Sequence, residues 1–263
     1  MMSLGILEAA GTAARPTPPA PPSPAPPSMI ALEPPFEMKF LVTEAVAARV
    51  AEWAARHLSA DPHAGGSRED GYRVTSLYLD TPGLDVYHGR GSFGRAKYRL
   101  RRYDSAPSLF LERKCKVKGR VRKRRTRVES GELTLLDAPD HPPSWPGRWF
   151  GRRVSVRGLM PTCHISYERV ARVGTSLNGP IRLTVDRDFL CRRASAFDLP
   201  HLSDGHVLFA GQGVVELKYR AAMPALFKAL VRDLGLSPAA ASKYRAGVMA
   251  CVIGPGPRGG IDA

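Results

Sequence analysis

The feature that most limits the fold of this chain is a strict alternation of charged and apolar residues in several short segments. In "AKYRLRRY", residues 96–103, Lys97, Arg99 and Arg101 occupy every second position. A period of two is that of a β-strand, whose successive side chains point to opposite faces of the sheet. Three cations on one face repel one another unless water or an anion lies between them. The pattern therefore predicts strands with one charged face and one largely apolar face.

The alternation recurs along the chain and predicts about eight strands. We predict them over residues 36–42, 72–80, 96–103, 108–116, 120–128, 163–172, 181–192 and 213–220. Helical periodicity replaces it after Thr43, a candidate N-cap, and again from Pro224 and from Ser237. Residues 138–153, rich in proline, are predicted to be a loop or a short insertion. Many strands with few helices predict an α+β fold, an antiparallel sheet or barrel with helices packed outside.

The two ends of the chain differ from its middle in composition. "RPTPPAPPSPAPPS", residues 15–28, has no material for a hydrophobic core and is typical of an extended tail. The glycine- and proline-rich end, "GPGPRGGIDA", is similar in this respect. We therefore expect disorder at residues 1–34 and 254–263 and one folded domain over residues 35–253.

The charge of the chain favours an acidic partner. Its formal net charge is +15, and residues 97–127 hold fourteen Lys and Arg against Asp104 and Glu112. Such an excess favours nucleic acid, anionic lipid or a phosphate-rich small molecule. The four cysteines form no CxxC pair, and no apolar run is long enough to span a bilayer. We expect reduced thiols, a cytoplasmic location and no membrane insertion.

The charged faces of the strands allow two interpretations. The ordinary one places them in water and the apolar faces on a core. Alternatively, about eight strands can close a barrel, helices can cover its apolar outside, and the charged faces then line the bore. Parity in that case turns Lys123 and Arg125 inward and Arg122 and Arg124 toward solvent. A desolvated cationic bore is destabilised by roughly several kcal/mol, which a triphosphate or polyphosphate would offset.

A set of segments in fixed order carries a family resemblance. "FEMKF", "SLYLDT", "KYRLRRY", "LERKCKVKG", "ISYERVAR", "RLTVDRDF", "VVELKY" and "SKYRAG" resemble the VTC domain, the polyphosphate-polymerase branch of the CYTH-like triphosphate tunnel metalloenzymes. The resemblance runs from about Phe36 to Val252. It implies an antiparallel barrel forming a tunnel, a basic lining, and Mn²⁺ or Mg²⁺ held by acidic side chains. It also implies transfer of the γ-phosphoryl group of ATP to a polyphosphate chain, so ATP, inorganic phosphate and polyphosphate are the expected ligands, and nucleic acid is not.

The resemblance assigns residues to three roles. The residues expected to hold the reacting phosphates are Lys39, Arg99, Arg101 and Arg169. Those expected to bind the remaining phosphates are Lys97, Lys114, Lys123, Arg182, Lys218 and Lys243. The metal ligand implied by "VELK" is Glu216, and the further tunnel carboxylates considered as ligands are Glu37, Glu112 and Asp186.

One departure from the wider pattern bears on the activity. The hydrolase and cyclase relatives begin with ExExK, whereas "PFEMK" has Pro35 in place of the first glutamate. This favours the polymerase branch. A tripolyphosphatase or nucleoside triphosphatase on the same scaffold and a polyphosphate-binding module without turnover stay open. A nucleic-acid-binding barrel would account for "KGRVRKRRTR", but Tyr98 and Tyr103 have opposite parities and form no stacking platform.

Overall fold

A single antiparallel sheet contains the ten strands found in the part of the chain that the structure describes. The structure is a computed structural model, and it describes residues 35–61, 71–93, 96–117 and 120–254. In chain order the elements are β1 (Phe36–Thr43), α1 (Glu44–His57), β2 (Ser59–Ala60), β3 (Gly71–Asp80), α2 (Asp85–His88), β4 (Ala96–Tyr103), β5 (Ser108–Val117), β6 (Arg120–Glu129), α3 (Arg148–Arg157), β7 (Met160–Ser176), β8 (Gly179–Arg193), β9 (His206–Leu208), β10 (Gln212–Tyr219), α4 (Ala225–Asp233) and α5 (Lys243–Val248). A 3₁₀ segment, Ser130–Leu136, follows β6, and a π-helical segment, Met249–Ile253, follows α5.

The main sheet is strongly curled. Its strand order is β1-β10-β8-β7-β3-β4-β5-β6, with β2 added to β7 and β9 added to β8. Although five strands separate β1 from β5 in this order, Lys114 Nζ of β5 lies 2.9 Å from both carboxylate oxygens of Glu37 on β1. Only a sheet that bends back on itself brings these two strands together. The predicted α+β tunnel fold is confirmed, although backbone hydrogen bonds between β1 and β6 do not close the ladder within the described residues.

The helices cover the outer, apolar faces of the strands. Val50 of α1 and Phe227 of α4 belong to one core cluster with Leu217 of β10, and none of the three is exposed. Phe150 of α3 belongs to a second cluster, where its ring lies 6.1 Å from that of Tyr98 on β4. The apolar faces of the strands thus point outward to the helices, and the charged faces point inward. This confirms the interpretation in which the charged faces line a bore.

Helix boundaries agree with the prediction at α1 and α4 and differ at α5. The Thr43 hydroxyl accepts a hydrogen bond from Val46 N at 3.4 Å, so it caps α1 as expected. The helix predicted from Ser237 begins only at Lys243, with Ser242 as its N-cap. The segment before it is extended because Pro238 forms a β-bridge with Phe40 of β1.

The prediction of a loop over residues 138–153 is wrong for its second half. α3 begins at Arg148, immediately after Pro146 and Gly147. Its buried side, which includes Phe150 and Val154, packs on the sheet. Residues 1–34 and 255–263, predicted to be disordered, lie outside the described residues. Among the residues that are described, none of the helices has the length and apolar character needed to cross a membrane.

Candidate functional site

Strand register places each interior carboxylate directly opposite a cation. Glu216 of β10 faces Lys39 of β1, and Glu37 of β1 faces Lys218 of β10. On the other side of the curl, Glu112 of β5 faces Arg99 of β4. Cross-strand pairs of opposite charge stabilise a sheet, and the alternation of the sequence brings all of them to the inner face. The site is therefore a product of strand pairing rather than of one local motif.

The first group, the lysine–glutamate cluster, consists of Glu37, Lys39, Lys114, Glu216 and Lys218. Lys39 Nζ lies 3.2 Å from Glu37 Oε1 and 3.5 Å from Glu216 Oε2. Lys218 Nζ lies 2.6 Å from Glu216 Oε1 and 3.9 Å from Glu37 Oε2. With Lys114 also on Glu37, three ammonium groups share two carboxylates. Burial would raise the pKa of Glu216, but Lys218, Lys39, Arg169 and Lys114 overcome it and hold that pKa well below its ordinary value.

The second group surrounds Glu112, whose side chain is fully buried. Arg99 donates from Nε to Glu112 Oε2 at 2.7 Å, and its second nitrogen lies at the same distance from that oxygen. Lys123 Nζ lies 2.5 Å and Arg125 Nε 3.3 Å from Glu112 Oε1. Burial would raise the pKa of Glu112, but Arg99, Arg101 and Lys123 overcome it and lower it strongly. The inward parity predicted for Lys123 and Arg125 agrees with these contacts.

The third group joins β7, β8 and the start of α5. Arg169 donates to both oxygens of Asp186, at 2.6 and 2.7 Å. Lys243 Nζ lies 2.8 Å from Asp186 Oδ2 and 4.9 Å from the ring centroid of Tyr167. The Asp186 side chain is fully buried; burial would raise its pKa, but Arg169 and Lys243 lower it to about 2. Lys243, the predicted site residue at the start of the last helix, therefore contacts the wall of the tunnel.

Two interior cations of β4 have no carboxylate partner among the described residues. Arg101 is 5% exposed, and it donates to Ser76 Oγ at 3.1 Å and to the Tyr167 hydroxyl at 3.2 Å. Lys97 donates to Ser242 Oγ at 3.0 Å, and burial lowers its pKa to about 8. A charge removed from water is less well stabilised when its hydrogen-bond partners are neutral than when it contacts a carboxylate. The charge balance of the interior is therefore incomplete at β4, and an anion would complete it.

Arg182 completes the set of predicted phosphate-binding residues. It lies opposite Lys218 in register and pairs with Asp61, whose Oδ2 is 2.8 Å from Arg182 NH2. The Tyr72 hydroxyl accepts a second bond from the same nitrogen at 3.0 Å. The structure thus brings all fourteen predicted site residues into contacts on the inner face or at the start of α5.

The four predicted metal ligands do not form one cluster. Among the described residues there is no group of three or more His, Cys, Asp and Glu that could hold a metal ion. Glu37 and Glu216, which share Lys39 and Lys218, fit a divalent cation whose remaining ligands come from substrate phosphates, the arrangement usual for Mg²⁺. Glu112 and Asp186 are fully buried against arginines, and their assignment to the metal stays a prediction.

Several functional hydroxyls were not predicted. Tyr78 accepts a hydrogen bond from Arg99 NH1 at 3.2 Å, and Tyr167 accepts from Arg101 and Arg169. Burial would raise the pKa of Tyr78, but Arg99 and Arg101 lower it to about 8. The alternation in "YRVTSLYLD" places Ser76 and Tyr78 on one face and could have revealed them. Asp61 follows the two-residue strand β2 and gives no such signal.

Comparison with known families agrees with this geometry. The family model of the VTC domain matches residues 35–252. The chain belongs to the VTC domain family. The match covers every element of the curled sheet, so the family assignment applies to the whole tunnel of this VTC domain.

A solved structure with a TM-score above 0.5 has the same fold at low sequence identity. A candidate adenylate cyclase from Bacillus halodurans matches with a TM-score of 0.51 and 15% identity, over 80% of this chain and 94% of that chain. A candidate adenylyl cyclase from Hippeastrum, described as having a dominant triphosphatase activity, matches with a TM-score of 0.46 and 14% identity, over 80% and 93% of the two chains. A search of the curated proteins gave no match.

Proposed function

We propose that this VTC domain is a polyphosphate polymerase that transfers the γ-phosphoryl group of ATP to a polyphosphate chain inside its tunnel. The observation that carries the proposal is the pair of interior cations, half-buried Lys97 and buried Arg101, that form no ion pair with a carboxylate among the described residues. They lie on the same strand face as Arg99 and beside carboxylate clusters in which cations already outnumber carboxylates. A chain of phosphates is the ligand that supplies several closely spaced negative charges to such a wall.

The roles of the phosphate-binding residues follow from how each side chain is fixed. Arg101 is held by Ser76 and Tyr167, and Arg99 by Glu112 and Tyr78, so both guanidinium groups are oriented before a ligand arrives. Pre-oriented donors stabilise the charge that develops on the transferred phosphoryl group without reorganisation. We assign Lys39, Arg99, Arg101 and Arg169 to the reacting phosphates. The remaining phosphates are assigned to Lys97, Lys114, Lys123, Arg182, Lys218 and Lys243.

A divalent cation, Mn²⁺ or Mg²⁺, fits the proposal at Glu216 and Glu37. Bound there together with the triphosphate, it would neutralise charge on the β- and γ-phosphate oxygens. Both carboxylates are ionised at neutral pH, because their neighbouring lysines lower their pKa values. Lys39 and Lys218 are the ammonium groups that must give up contacts to these oxygens.

The transfer itself needs little covalent chemistry from the protein. An oxygen of the terminal phosphate of the acceptor forms a bond to the γ-phosphorus, and the bond from that phosphorus to the β,γ-bridging oxygen breaks, so ADP leaves. The acceptor phosphate is already ionised and requires no general base. The chain's own residues hold donor and acceptor in line and exclude water from the γ-phosphorus.

One incubation tests the proposal. Purified protein with ATP and Mn²⁺ is expected to yield long-chain polyphosphate and ADP. One ADP should form for each phosphoryl group added to polyphosphate. Release of free phosphate without polyphosphate would contradict it and indicate a triphosphatase.

We expect the activity in the cytoplasm, where free thiols persist; the free cysteines of the chain are Cys115, Cys163, Cys191 and Cys251.

A further inference from the structure

The outer face of the sheet carries a second concentration of positive charge, separate from the tunnel. A cavity of about 340 Å³ lies between β5, β6 and α3 and is lined by Arg113, Arg124, Trp149, Arg152, Arg153 and Val156. We name this cavity the outer arginine groove. Among the described residues, none of its four arginines forms an ion pair with a carboxylate. The family assignment and the tunnel geometry do not explain why four unpaired arginines meet here.

The arginines are arranged so that they repel one another. Arg113 and Arg124 are direct cross-strand neighbours on the outer face. Like charges in that position destabilise a sheet. Arg152 and Arg153 add two more exposed cations from α3 without an acidic residue in the first turn of that helix. An anion bound between the strand pair and the helix would relieve this repulsion.

A smaller cavity adjoins the groove near β6, the last strand of the sheet. This cavity of about 250 Å³ is lined by Arg113, Cys115, Arg122, Lys123 and Arg124, so it shares Arg113 and Arg124 with the groove. Lys123 also contacts Glu112 on the inner face. β6 ends the strand order, and no further strand pairs with its outer edge within the described residues. A linear anion can therefore pass from the tunnel over β6 to the outer arginines.

We propose that the outer arginine groove binds the part of a polyphosphate chain that extends beyond the tunnel. The choice of this ligand rests on the proposed function, whereas the existence of an anion site rests on the groove alone. Arginine forks grip successive phosphates with two bonds each. The path Lys123, Arg122 and Arg124, then Arg152 and Arg153, presents such groups in sequence from the inner face to the outer face.

A single-stranded nucleic acid fits the groove less well. Sequence-independent binding of that kind uses aromatic faces on which bases stack. Trp149 is the aromatic residue of the groove, but Arg124 covers one of its ring faces at 4.1 Å. Its indole nitrogen donates to Thr126 Oγ1 at 2.8 Å. Phosphates rather than bases therefore match the groups that the groove offers.

The test compares two chain lengths of ligand without any turnover. Binding of tripolyphosphate and of long-chain polyphosphate is measured by calorimetry in EDTA and without ATP, for the wild type and for R152Q/R153Q. Both positions are exposed on α3, and glutamine preserves helix propensity. R152Q/R153Q is expected to bind long-chain polyphosphate about tenfold more weakly, because two charge-assisted contacts are lost, and to bind tripolyphosphate as the wild type does.

Matched variants separate the groove from general charge effects. R49Q/R56Q removes two exposed arginines from α1 and is expected to leave both affinities unchanged. R122Q/R124Q removes one strand arginine of the groove and one arginine of the smaller cavity beside it, and it is expected to reproduce the loss seen with R152Q/R153Q. If R152Q/R153Q and R122Q/R124Q both keep the wild-type affinity for long chains, the groove proposal is overturned.

Two further results also overturn it. The first is a wild type that binds long-chain polyphosphate no more tightly than tripolyphosphate. The second is a groove variant that loses affinity for a single-stranded oligonucleotide while keeping its affinity for polyphosphate. The failure of the proposed function has a different signature. Absence of polyphosphate synthesis from ATP, with the long-chain affinity still lost in R152Q/R153Q, refutes the polymerase and leaves the groove in place.

Discussion

The two walls of the tunnel hold their charges in different ways. On the β1–β10 wall, Lys39 and Lys218 share the carboxylates Glu37 and Glu216 through single ammonium contacts of 2.6 to 3.9 Å. On the β4 wall, Arg101 is fixed by two hydroxyls and Arg99 by a two-nitrogen contact to Glu112. An ammonium group is a compact point charge on a flexible stem, whereas a guanidinium group is a rigid fork. The first wall can exchange partners, and the second is built in one orientation.

This difference assigns separate tasks to the walls. The exchangeable wall is suited to a divalent cation, because lysines can leave the carboxylates when the cation and phosphates arrive. The rigid wall is suited to phosphate alone, because its donors are aimed before binding. Variants on the β4 wall should therefore change phosphate handling, and variants on the β1–β10 wall should change metal dependence. The predictions below test whether the two tasks are separable.

The largest effect is expected for R101A. Arg101 is buried and its hydrogen bonds go to two hydroxyls rather than to a carboxylate, so under the proposed function its guanidinium group can act on the phosphates of the ligand. By analogy with the loss of one electrostatic donor, phosphoryl transfer should fall at least ~100-fold. Steady-state rates of ADP release with ATP and Mn²⁺ measure this, and R56A, an exposed arginine of α1, is the control. Full activity of R101A would show that the β4 wall does not contact the reacting phosphates.

E112Q is expected to act on stability and on ligand response together. The change leaves Arg99 and Lys123 without their carboxylate, and breaking a buried pair costs roughly 3 kcal/mol or more. Because Lys123 is 38% and Arg125 31% exposed, water screens part of the loss, and we expect about 2 kcal/mol. Urea unfolding measures the change. Tripolyphosphate should restore more stability to E112Q than to the wild type, since phosphate replaces the lost carboxylate; an equal or smaller restoration would place the ligand elsewhere.

Much of the tunnel could be predicted because its signal has a period of two. The alternation in residues 96–103 and 213–220 assigns Arg99 and Glu216 to the same side of the sheet as the other charges, before any pairing is known. Register could not be predicted from one sequence. For that reason the sequence could not show that Glu112 neutralises Arg99 while Arg101 has no such partner.

Contacts across the interior were equally out of reach. Lys114 meets Glu37 because the sheet curls, and the degree of curl depends on the packing of all strands and helices together. α3 was missed because proline and glycine before it suggested a loop, although Trp149 and Phe150 already mark the apolar side of a helix. The outer arginine groove depends on α3 and was missed with it.

E216Q should change the metal requirement more than phosphate binding. The substitution keeps the size of the side chain and removes the negative charge that Lys218 and Lys39 share. The Mn²⁺ concentration that gives half-maximal ADP release should rise about tenfold. E52Q, an exposed carboxylate of α1, is the control. Metal-free binding of tripolyphosphate should stay the same or become tighter, and a loss of that binding without a change in the Mn²⁺ requirement would mean that the two walls do not divide the tasks.

The smallest effect concerns pH and tests whether Lys97 binds phosphate as a cation. Burial lowers the pKa of Lys97 to about 8, and the charged groups that face it are Tyr78, Lys39, Lys114 and Arg99. Above pH 8 the ammonium group loses its proton, so affinity for tripolyphosphate should decrease as pH rises from 7 to 9.

The control variant K97R keeps its charge over this range. The ratio of the K97R affinity to the wild-type affinity cancels the titration of the ligand and of Tyr78. This ratio should change about fivefold in favour of K97R, which corresponds to about 1 kcal/mol, the net value of a typical hydrogen bond. The stability of the ligand-free protein should change in the opposite direction. Between about pH 8 and the ordinary pKa of lysine, the unfolded chain binds more protons than the folded chain does, so the contribution of Lys97 to the free energy of unfolding increases with pH. A flat affinity ratio together with that rise would mean that Lys97 is buried and titrates but does not contact the ligand.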